Sequence, residues 1–311
     1  MLTIDELIQD NQSHFHFQWL AGEQAASQVE LEYGMAAADL IGHLNLIHPK
    51  RIQILGAEEV NYYHKLEPSH RQHLLTNLIA EGVPAMIVAG NSQAPDEMIH
   101  LCQELNIPVL NTQREAAEVI DLLRFYLTKR LAPSTLMHGV FLDVLGLGVM
   151  ITGESGLGKS ELALELISRG HGLVADDAVE LSRPAPNLIE GQCPTLLQNL
   201  LEVRGLGLLD IRTIFGETSV RRKMNLKLIV HLLRSTPEDF QRLPIQQQTQ
   251  SILGVDIPKV MLQVAAGRNL AVLVEAAVRN TILNLRGIDT MQEFMKRQAL
   301  AIQQNSPTPN P

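Results

Sequence analysis

The feature that most constrains this chain is residues 153–160, Gly-Glu-Ser-Gly-Leu-Gly-Lys-Ser. They match the phosphate-binding loop pattern G-x-x-x-x-G-K-[ST], in which successive backbone N–H groups turn inward around a phosphate. The lysine of this pattern reaches the β- and γ-phosphates, and the final hydroxyl contacts Mg²⁺. The residues predicted to bind a nucleotide are therefore Gly153, Glu154, Ser155, Gly156, Leu157, Gly158, Lys159 and Ser160.

The segments on either side of this loop favour the same interpretation. Residues 148–152 form a short apolar run that predicts a buried strand. Residues 159–169 have the apolar spacing of a helix, and Gly170 provides its stop. A strand, a glycine-rich loop and a helix in this order direct the helix N-terminus at a bound anion. The alternative is a glycine-rich turn with a chance lysine, and the flanking segments argue against it.

Length, charge and cysteine usage exclude several other classes of protein. A chain of 311 residues is long enough for two domains. No apolar run approaches the roughly 20 residues that cross a bilayer, and residues 1–6 lack the basic start of a signal peptide. The net charge of −9 argues against a nucleic-acid binder. Cys102 and Cys193 lack zinc-ligand or redox spacing. We therefore expect a cytoplasmic protein with reduced thiols and no membrane or nucleic-acid partner.

Strands and helices alternate in the first 131 residues, which contain no motif that indicates chemistry. The predicted strands are residues 51–55 and 83–89, and the predicted helices are residues 68–81, 96–105 and 114–131. The alternating His-Phe-His-Phe of residues 14–17 predicts a further strand. This order of elements predicts a small α/β layer domain.

A domain boundary is predicted at about residue 131, where Ala132-Pro133-Ser134 follows a helical pattern. Proline disfavours helical backbone at the residue before it. The predicted units are an N-terminal α/β domain, a domain with the phosphate loop and a disordered polar tail, over residues 1–131, 132–302 and 303–311. In the second domain, residues 137–147 predict a strand or hairpin, and residues 270–278 predict a buried strand that runs into a helix.

Two acids follow the apolar run after the loop helix, where residues 172–177 predict a strand ending in Asp176 and Asp177. Because adjacent strand residues point to opposite faces, the two carboxylates are not expected to serve one phosphate in the same way. One interpretation gives Asp177 the proton of an attacking hydroxyl, while Asp176 supports a metal's water shell or the neighbouring backbone. The alternatives are a Mg²⁺ carboxylate that orders a water and a strand end with solvated acids.

Other charged residues are ambiguous when each is taken alone. Residues 202–210, Glu-Val-Arg-Gly-Leu-Gly-Leu-Leu-Asp, place Glu202 and Arg204 on one face if the segment begins extended. Such a pair is either an exposed ion pair or part of a ligand site. His138 precedes the loop strand and would carry positive charge towards a phosphate, or it is structural. Arg242 has the features of an ordinary loop arginine.

Taken together, these segments resemble the HPr kinase/phosphorylase family. The resembling segments are residues 137–140, 153–160, 174–177, 202–210 and 267–275. The sequence Glu-Val-Arg-Gly-Leu-Gly after a phosphate loop and an Asp-Asp strand is far more specific than the loop alone. The first domain resembles the family only by its position and its α/β character.

The resemblance implies a P-loop kinase domain similar to phosphoenolpyruvate carboxykinase and a bifunctional enzyme. Such an enzyme uses ATP, or sometimes pyrophosphate, to phosphorylate a serine of HPr or a related phosphocarrier protein. It also removes that phosphate by phosphorolysis, in which inorganic phosphate attacks and pyrophosphate is the product. Because the family forms hexamers, we expect a homohexamer.

The resemblance also implies individual roles. The residues that resemble the active-site set are His138, Lys159, Asp177 and Arg242. Asp177 resembles the proton acceptor of phosphorylation and the proton donor of the reverse reaction, and Ser160 and Glu202 resemble the Mg²⁺ ligands. Residues 202–210 resemble a stretch needed by both activities, and residues 263–268 resemble a loop linked to phosphorolysis.

Two other hypotheses stay open from the residues alone. A kinase of a small metabolite would use the same loop without a carrier protein, and an ATP-sensing module would transfer nothing. Asp177 distinguishes a kinase from an ATP sensor, because a sensor needs no general base. Residues 263–266, Gln-Val-Ala-Ala, replace the proline- and base-bearing sequence of some family members, which leaves the strength of phosphorolysis undetermined.

Overall fold

The computed structural model describes residues 2–31, 36–234, 248–265 and 267–304. The chain divides into two units, Met1–Pro133 and Ser134–Pro311. Within the described ranges, no helix combines the length and the apolar character that a membrane crossing needs.

The first unit is a layered α/β structure. Its strands are β1 (Leu2–Thr3), β2 (Gln18–Ala21), β3 (Glu30–Leu31), β4 (Ile41–His43), β5 (Ile52–Leu55), β6 (Met86–Val88) and β7 (Val109–Asn111). Its helices are α1 (Ile4–Phe15), α2 (Ala37–Leu40), α3 (Ala57–Lys65), α4 (Pro68–Ala80), α5 (Asp96–Glu104) and α6 (Ala116–Arg130). The main sheet has the order β2-β7-β6-β5-β4, in which β4 to β7 are parallel and β2 is antiparallel.

Both faces of this sheet are covered by helices. Ile54 and Leu55 are adjacent in β5 and both are buried, yet they belong to different hydrophobic clusters. This separation follows because successive strand residues point to opposite faces. One cluster contains Leu7 of α1 and Leu123 of α6, and the other contains Leu78 of α4. The predicted α/β layer domain is therefore confirmed.

The predicted strand over residues 14–17 is wrong. The side chain of Thr3 caps α1 by accepting a hydrogen bond from the N–H of Glu6 at 3.1 Å, and the helix continues to Phe15. His16 then ends the helix in the left-handed conformation, with φ 49°. Four alternating residues do not distinguish a strand from the last turn of an amphipathic helix.

The second unit contains the phosphate loop. Its strands are β8 (Ser134–His138), β9 (Val140–Val144), β10 (Leu147–Gly153), β11 (Gly172–Ala175), β12 (Ala178–Ala185), β13 (Leu188–Gln192), β14 (Leu200–Val203), β15 (Gly207–Asp210), β16 (Lys223–Arg234), β17 (Gln248–Ile252) and β18 (Val255–Val264). Its helices are α7 (Lys159–Ser168), α8 (Ile211–Phe215), α9 (Leu270–Leu285) and α10 (Thr290–Gln304). The large sheet has the order β11-β9-β10-β16-β13-β12-β8, β18 pairs with β16 and β17, and β14 and β15 form a separate hairpin.

The long strand β16 organises the large sheet. At its start Lys223 pairs antiparallel with Gln192 of β13. Further along, His231 pairs in parallel with Thr152 of β10 on one side and with Met261 of β18 on the other. Since β10 also pairs with β9, it lies inside the sheet, and the phosphate loop starts at its carboxyl end. Ligands of open α/β sheets bind at this end of the strands.

Helices α7 and α9 cover one face of β10. Val149 and Ile151 are buried on this face with Leu166 of α7 and Val274 of α9. Met150, between them in the chain, is buried in a different cluster on the opposite face. Burial on both faces holds β10 in place, so the backbone that enters the phosphate loop has a fixed direction.

Within residues 137–147 the predicted strand is confirmed by β9, which pairs with β10 and β11, while β8 pairs with β12. Two other predictions for the second unit differ from the structure. Residues 270–278 are helical, and Asn269 caps α9 by accepting a hydrogen bond from the N–H of Val272 at 3.0 Å. The predicted disordered tail begins at residue 303, whereas α10 continues to Gln304, and residues 305–311 lie outside the described residues.

A carboxylate of α9 holds the carboxyl end of α7. Arg169, the C-cap of α7, donates hydrogen bonds from Nε and Nη2 to Glu275 at 2.9 and 3.0 Å. The buried His171 donates from Nε2 to the same carboxylate at 3.0 Å. These hydrogen bonds lower the pKa of Glu275 to about 2. The helix that begins at the phosphate loop is thus anchored at its other end.

We predict that Glu275→Gln lowers the free energy of unfolding at neutral pH by about 1–3 kcal/mol, because the charge-assisted hydrogen bonds are lost. The pKa of the folded state lies below the ordinary 4.5, so the stabilisation is complete above that value and is lost as the pH falls towards 2. Urea unfolding at neutral pH and at about pH 4 should therefore show a smaller difference between variant and wild type at the lower pH.

Glu293→Gln is the matched control, because Glu293 accepts a hydrogen bond from Arg297 at 3.0 Å on an exposed helix surface. Exposed pairs of this kind contribute about 0.5 kcal/mol or less. An equal loss of stability for Glu275→Gln at both pH values would contradict the role assigned to the ionised carboxylate.

Candidate active site

The phosphate loop has the backbone that an anion cradle requires. Gly153 has φ 141°, and a Cβ atom there would lie 2.7 Å from the carbonyl oxygen of Leu232, so β16 leaves no room for a side chain. Gly158 caps α7 in the left-handed conformation, with φ 82°. Leu157 between them is buried in the core and anchors the loop. The N-terminus of α7 therefore opens on the loop, where its free N–H groups favour a negative charge.

The ammonium group of Lys159 bridges its own loop. Its Nζ donates to the carbonyl oxygens of Gly153 and Glu154, both at 2.9 Å. No carboxylate lies within ion-pair distance of this nitrogen among the described residues. The positive charge of Lys159 is therefore available to an anion in the loop. A lysine held at the loop without a carboxylate partner fits a site for the triphosphate of a nucleotide.

Asp176 lies beneath the loop and is buried. One carboxylate oxygen accepts the N–H of Glu202 at 2.9 Å, and the other lies 3.4 Å from the hydroxyl of Ser160. Burial raises the pKa of Asp176, and the Glu202 N–H opposes that rise. This carboxylate therefore joins the start of α7 to β14.

Asp177 has the opposite environment, with a side chain that is 80% exposed. The strand β11 ends at Ala175, and Asp177 takes a left-handed conformation with φ 61° in the turn to β12. The expectation that the two acids alternate across a strand is wrong for this reason, and both line one pocket. They still differ in environment, because Asp176 is bonded to backbone while the Asp177 carboxylate is open to a ligand.

His138, at the end of β8, faces Asp177. Its Nδ1 lies 3.2 Å from the backbone oxygen of Asp177 and 3.7 Å from the carboxylate. Because a carbonyl oxygen only accepts hydrogen bonds, Nδ1 carries the proton in this contact and Nε2 remains for another partner. The ring thus lies beside the acid at the mouth of the pocket.

These side chains share one pocket of about 490 Å³. It brings together the predicted catalytic residues His138, Lys159 and Asp177, the predicted metal ligands Ser160 and Glu202, and Ser155 with the three loop glycines. Glu154 and Leu157 were also predicted to bind a nucleotide, but the structure does not place them on the pocket wall. Arg242 lies outside the described residues.

The ligand atoms in this pocket fit magnesium better than a metal ion that is coordinated by protein side chains alone. Ser160 and Glu202 line it and offer one hydroxyl and one carboxylate. Among the described residues, no group of three or more His, Cys, Asp or Glu side chains forms a metal cluster. Mg²⁺ usually takes one or two protein carboxylates together with phosphate and water oxygens. Cys193, near Asp176, is a free buried thiol whose pKa burial raises to about 11.

The pocket also contains residues that were not among the predicted site residues, namely Gly139, Val140, Glu161, Asp176 and Arg204. Arg204 donates from Nη2 to the Ser155 hydroxyl at 3.0 Å. The exposed Glu202–Arg204 ion pair that the sequence left open is absent from the ion pairs of the described residues. The sequence feature that could have identified Arg204 as a site residue is its position two residues after Glu202, which places both side chains on one face of an extended segment.

Comparison with known proteins gives matches over nearly the whole chain. The family profile described as HPr Serine kinase N terminus matches residues 2–127, and the HPr Serine kinase C-terminal domain matches residues 129–298. Proteins named HPr kinase/phosphorylase from Bordetella avium and Bordetella pertussis are each 67% identical over 307 residues, covering 98% of this chain and 100% of the relative. The Burkholderia ambifaria protein of that name is 56% identical over 306 residues, covering 97% of this chain and 95% of the relative.

A solved structure of the Hpr(Ser) kinase/phosphatase from Coxiella burnetii is 36% identical, with a TM-score of 0.46. It covers 51% of this chain and 98% of that chain. The assignment rests on the sequence matches, which extend over both units. By these matches the chain belongs to the HPr kinase/phosphorylase family.

Proposed function

We propose that this protein is a bifunctional protein-serine kinase and phosphoserine phosphorylase that acts on a serine of HPr or a related phosphocarrier protein. The observation that carries the proposal is the open carboxylate of Asp177 in the pocket of the phosphate loop. Membership of a family whose relatives are named HPr kinase/phosphorylase supports the same assignment. A nucleotide sensor would need no such acid.

In the kinase direction, Asp177 accepts the proton of the serine hydroxyl. The hydroxyl oxygen bonds to the γ-phosphorus of ATP as the bond from that phosphorus to the leaving ADP oxygen breaks. Lys159 and the N-terminus of α7 stabilise the negative charge on the phosphoryl oxygens. His138, beside Asp177, adds a donor at the mouth of the pocket when Nε2 is protonated.

In the phosphorylase direction, the same groups act in reverse. An oxygen of inorganic phosphate bonds to the phosphorus of phosphoserine while the bond to the serine oxygen breaks. Asp177 returns its proton to that oxygen, and the two phosphoryl groups leave together as pyrophosphate. One carboxyl serves both directions because it ends each reaction in the protonation state that the other needs.

Ser160 and Glu202 are the proposed Mg²⁺ ligands, and bound Mg²⁺ would neutralise phosphate charge. Asp176 positions both, through the Ser160 hydroxyl and the Glu202 N–H. On the basis of the family resemblance, Arg242 is a further proposed phosphate contact. Pyrophosphate, as the product of phosphorolysis, is also the proposed alternative phosphoryl donor.

The proposal includes a homohexamer in the cytoplasm. Large apolar side chains are exposed on the second unit, including Leu196, Leu206 and Leu208. Contact with another subunit would cover such groups if they form a contiguous patch. The buried free thiols Cys102 and Cys193 agree with a reducing compartment.

The proposed function is tested by incubating the protein with Mg²⁺-ATP and a purified HPr-type carrier, followed by mass spectrometry. We expect one phosphoserine on the carrier. Addition of inorganic phosphate after removal of ATP should release pyrophosphate and restore the unmodified carrier. A protein that phosphorylates no candidate carrier but consumes ATP with a metabolite would instead be a small-molecule kinase.

We predict that Asp177→Asn lowers transfer in both directions by roughly 10²–10⁴-fold, because an amide cannot accept the hydroxyl proton. Nucleotide affinity should stay close to that of the wild type, since Asp177 is not part of the phosphate loop. Calorimetry with ATP and the carrier phosphorylation rate measure the two effects. The control is Asp256→Asn, on an exposed position of β18. Equal loss of affinity and rate would refute the role of base.

We predict that Lys159→Ala weakens ATP binding and abolishes both directions of transfer, with a loss of at least about 100-fold, because one cation serves the same phosphoryl oxygens in each. Lys223→Ala is its control, since Lys223 does not line the pocket and donates a hydrogen bond of 2.9 Å to Glu190. Phosphorolysis that survives the Lys159 change would show that the two reactions do not share a site.

A further inference from the structure

A polar contact connects β16 with the residue that precedes the phosphate loop. Thr152 in β10 and His231 in β16 are opposite each other in the parallel pair, so their side chains lie on the same face of the sheet. The Thr152 hydroxyl lies 2.9 Å from Nδ1 of His231, within hydrogen-bond distance. Neither residue lines the pocket that contains Lys159 and Asp177. The contact is therefore separate from the groups assigned to the reaction.

The two side chains are largely removed from solvent. Thr152 is buried and His231 is half-buried. Two residues earlier in each strand, Met150 and Ile229 belong to the hydrophobic cluster on this face. A buried hydroxyl without a partner costs free energy, so removal of the imidazole would leave the Thr152 hydroxyl unsatisfied. The hydrogen bond therefore fixes the orientation of Thr152 at the end of β10.

The neutral form of His231 is favoured at this position. Burial lowers the pKa of its imidazole below the ordinary value, and the ammonium group of Lys259 on β18 lowers this pKa further. The carboxylate of Glu154 acts in the opposite direction. A neutral imidazole provides a hydrogen bond but no permanent charge for a bound phosphate. The surroundings of His231 therefore indicate a role in geometry and not in charge neutralisation.

The next residues along, Gly153 and Leu232, make a second contact between the same two strands. A Cβ atom at Gly153 would lie 2.7 Å from the carbonyl oxygen of Leu232 and 3.1 Å from its Cβ, so the two strands are in close contact there. His231 contacts β10 through its side chain, and Leu232 contacts it through its backbone. Two consecutive residues of β16 thus fix two consecutive residues of β10, at the point where the strand becomes the phosphate loop.

The position of Gly153 affects the position of the loop lysine. The carbonyl oxygens of Gly153 and Glu154 each accept a hydrogen bond from Nζ of Lys159 at 2.9 Å. Since Thr152 and Gly153 share a planar peptide group, a shift of Thr152 would move Gly153 and the carbonyl that Lys159 contacts. Misplacement of a reacting group by about 1 Å can reduce a rate by roughly 10²-fold. The contact between Thr152 and His231 is therefore connected to the chemistry through Lys159.

We propose that His231 is a positioning residue for phosphoryl transfer, which acts through the Thr152 hydroxyl on the start of the phosphate loop and so on Lys159. The nucleotide is also bound by the N–H groups of the loop and of α7. A small displacement should therefore weaken binding of the nucleotide less than stabilisation of the group in transit. The inference rests on the proposed function for the identity of the acceptor, but it applies to any phosphoryl transfer in this pocket.

The test measures binding of ADP alone and of ADP with aluminium fluoride, which mimics the phosphoryl group in transit, by calorimetry in the presence of Mg²⁺. Thr152→Val keeps the shape of the side chain and removes the hydroxyl. It should weaken the fluoride complex by roughly 10-fold while ADP affinity stays within about 3-fold of wild type. Thr152→Ser keeps the hydroxyl and should bind both as the wild type does. With the carrier, kcat of Thr152→Val should fall by a similar factor, while KM for ATP changes little.

Two variants of His231 separate hydrogen bonding from volume. An asparagine has its amide group near the position of Nδ1, the atom that contacts Thr152, whereas the amide of a glutamine lies near the position of Nε2. His231→Asn should therefore retain most of the wild-type rate and affinity for the fluoride complex, and His231→Gln should lose roughly 10-fold in both. A residue that only fills space would give the reverse order, because glutamine is closer to histidine in volume.

His73→Leu is the matched control, because His73 is an exposed histidine of the first unit whose Nε2 lies 3.1 Å from the Asn77 amide. It should leave both affinities and the rate unchanged. Equal values for His231→Asn and His231→Gln would overturn the proposal. A Thr152→Val protein with a lower free energy of unfolding but wild-type affinity for the fluoride complex would also overturn it, since the contact would then be structural alone.

Because the calorimetric test needs no carrier protein, it separates this inference from the proposed function. A weakened fluoride complex in Thr152→Val and His231→Gln, together with a wild type that phosphorylates no carrier, would support the role of His231 and refute the protein acceptor. A wild type that phosphorylates the carrier at a rate that both variants share would refute the role of His231 alone.

Discussion

The buried carboxylate of Asp176 is the interaction on which the geometry of the site depends. It connects three segments that are far apart in the sequence, since it follows β11, lies against the Ser160 hydroxyl at the start of α7 and accepts the N–H of Glu202 in β14. A buried acid without partners would be costly, and its raised pKa reflects that cost. The two hydrogen bonds offset part of it. The phosphate loop and the β14–β15 hairpin are therefore held in a fixed position relative to each other.

This constraint explains how two adjacent aspartates come to differ. Asp176 uses its oxygens on the protein, so little of its carboxylate remains for a ligand. Asp177 turns out of the strand in a left-handed conformation, which costs backbone energy but exposes its side chain beside His138. Strain of this kind persists only where the surrounding structure enforces it, and the β11–β12 turn does so through the hydrogen bond from the N–H of Ala178 to the oxygen of Asp176 at 2.8 Å.

The sequence was informative where function requires a particular residue at a particular spacing. The glycines and lysine of residues 153–160 specify both a backbone conformation and a charge, so the loop, its strand and its helix could be predicted from local pattern. Residues 270–278 could not, because an apolar run of that length suits a buried strand as well as a helix; in the structure they begin a helix that Asn269 caps.

Contacts between segments that are distant in the chain also could not be predicted from the sequence. Nothing local indicates that Arg204 contacts Ser155, because their proximity is produced by the pairing of β14 with β15 and by the hydrogen bond from Glu202 to Asp176. For the same reason the spacing of Glu202 and Arg204 left an ion pair open, although the arginine points to the loop instead. Site residues that long-range contacts bring together need a three-dimensional structure to identify them.

A reaction that runs in both directions places a symmetric demand on the pocket. Groups that stabilise only ATP or only phosphoserine would favour one direction by binding its reactant too tightly. Lys159 and Arg204 both contact the phosphate loop, and neither makes an ion pair with a carboxylate among the described residues. Because the charge in transit is the same whichever oxygen attacks, stabilising it speeds both reactions equally. In the proposed mechanism, the single carboxylate of Asp177 handles the proton in either direction.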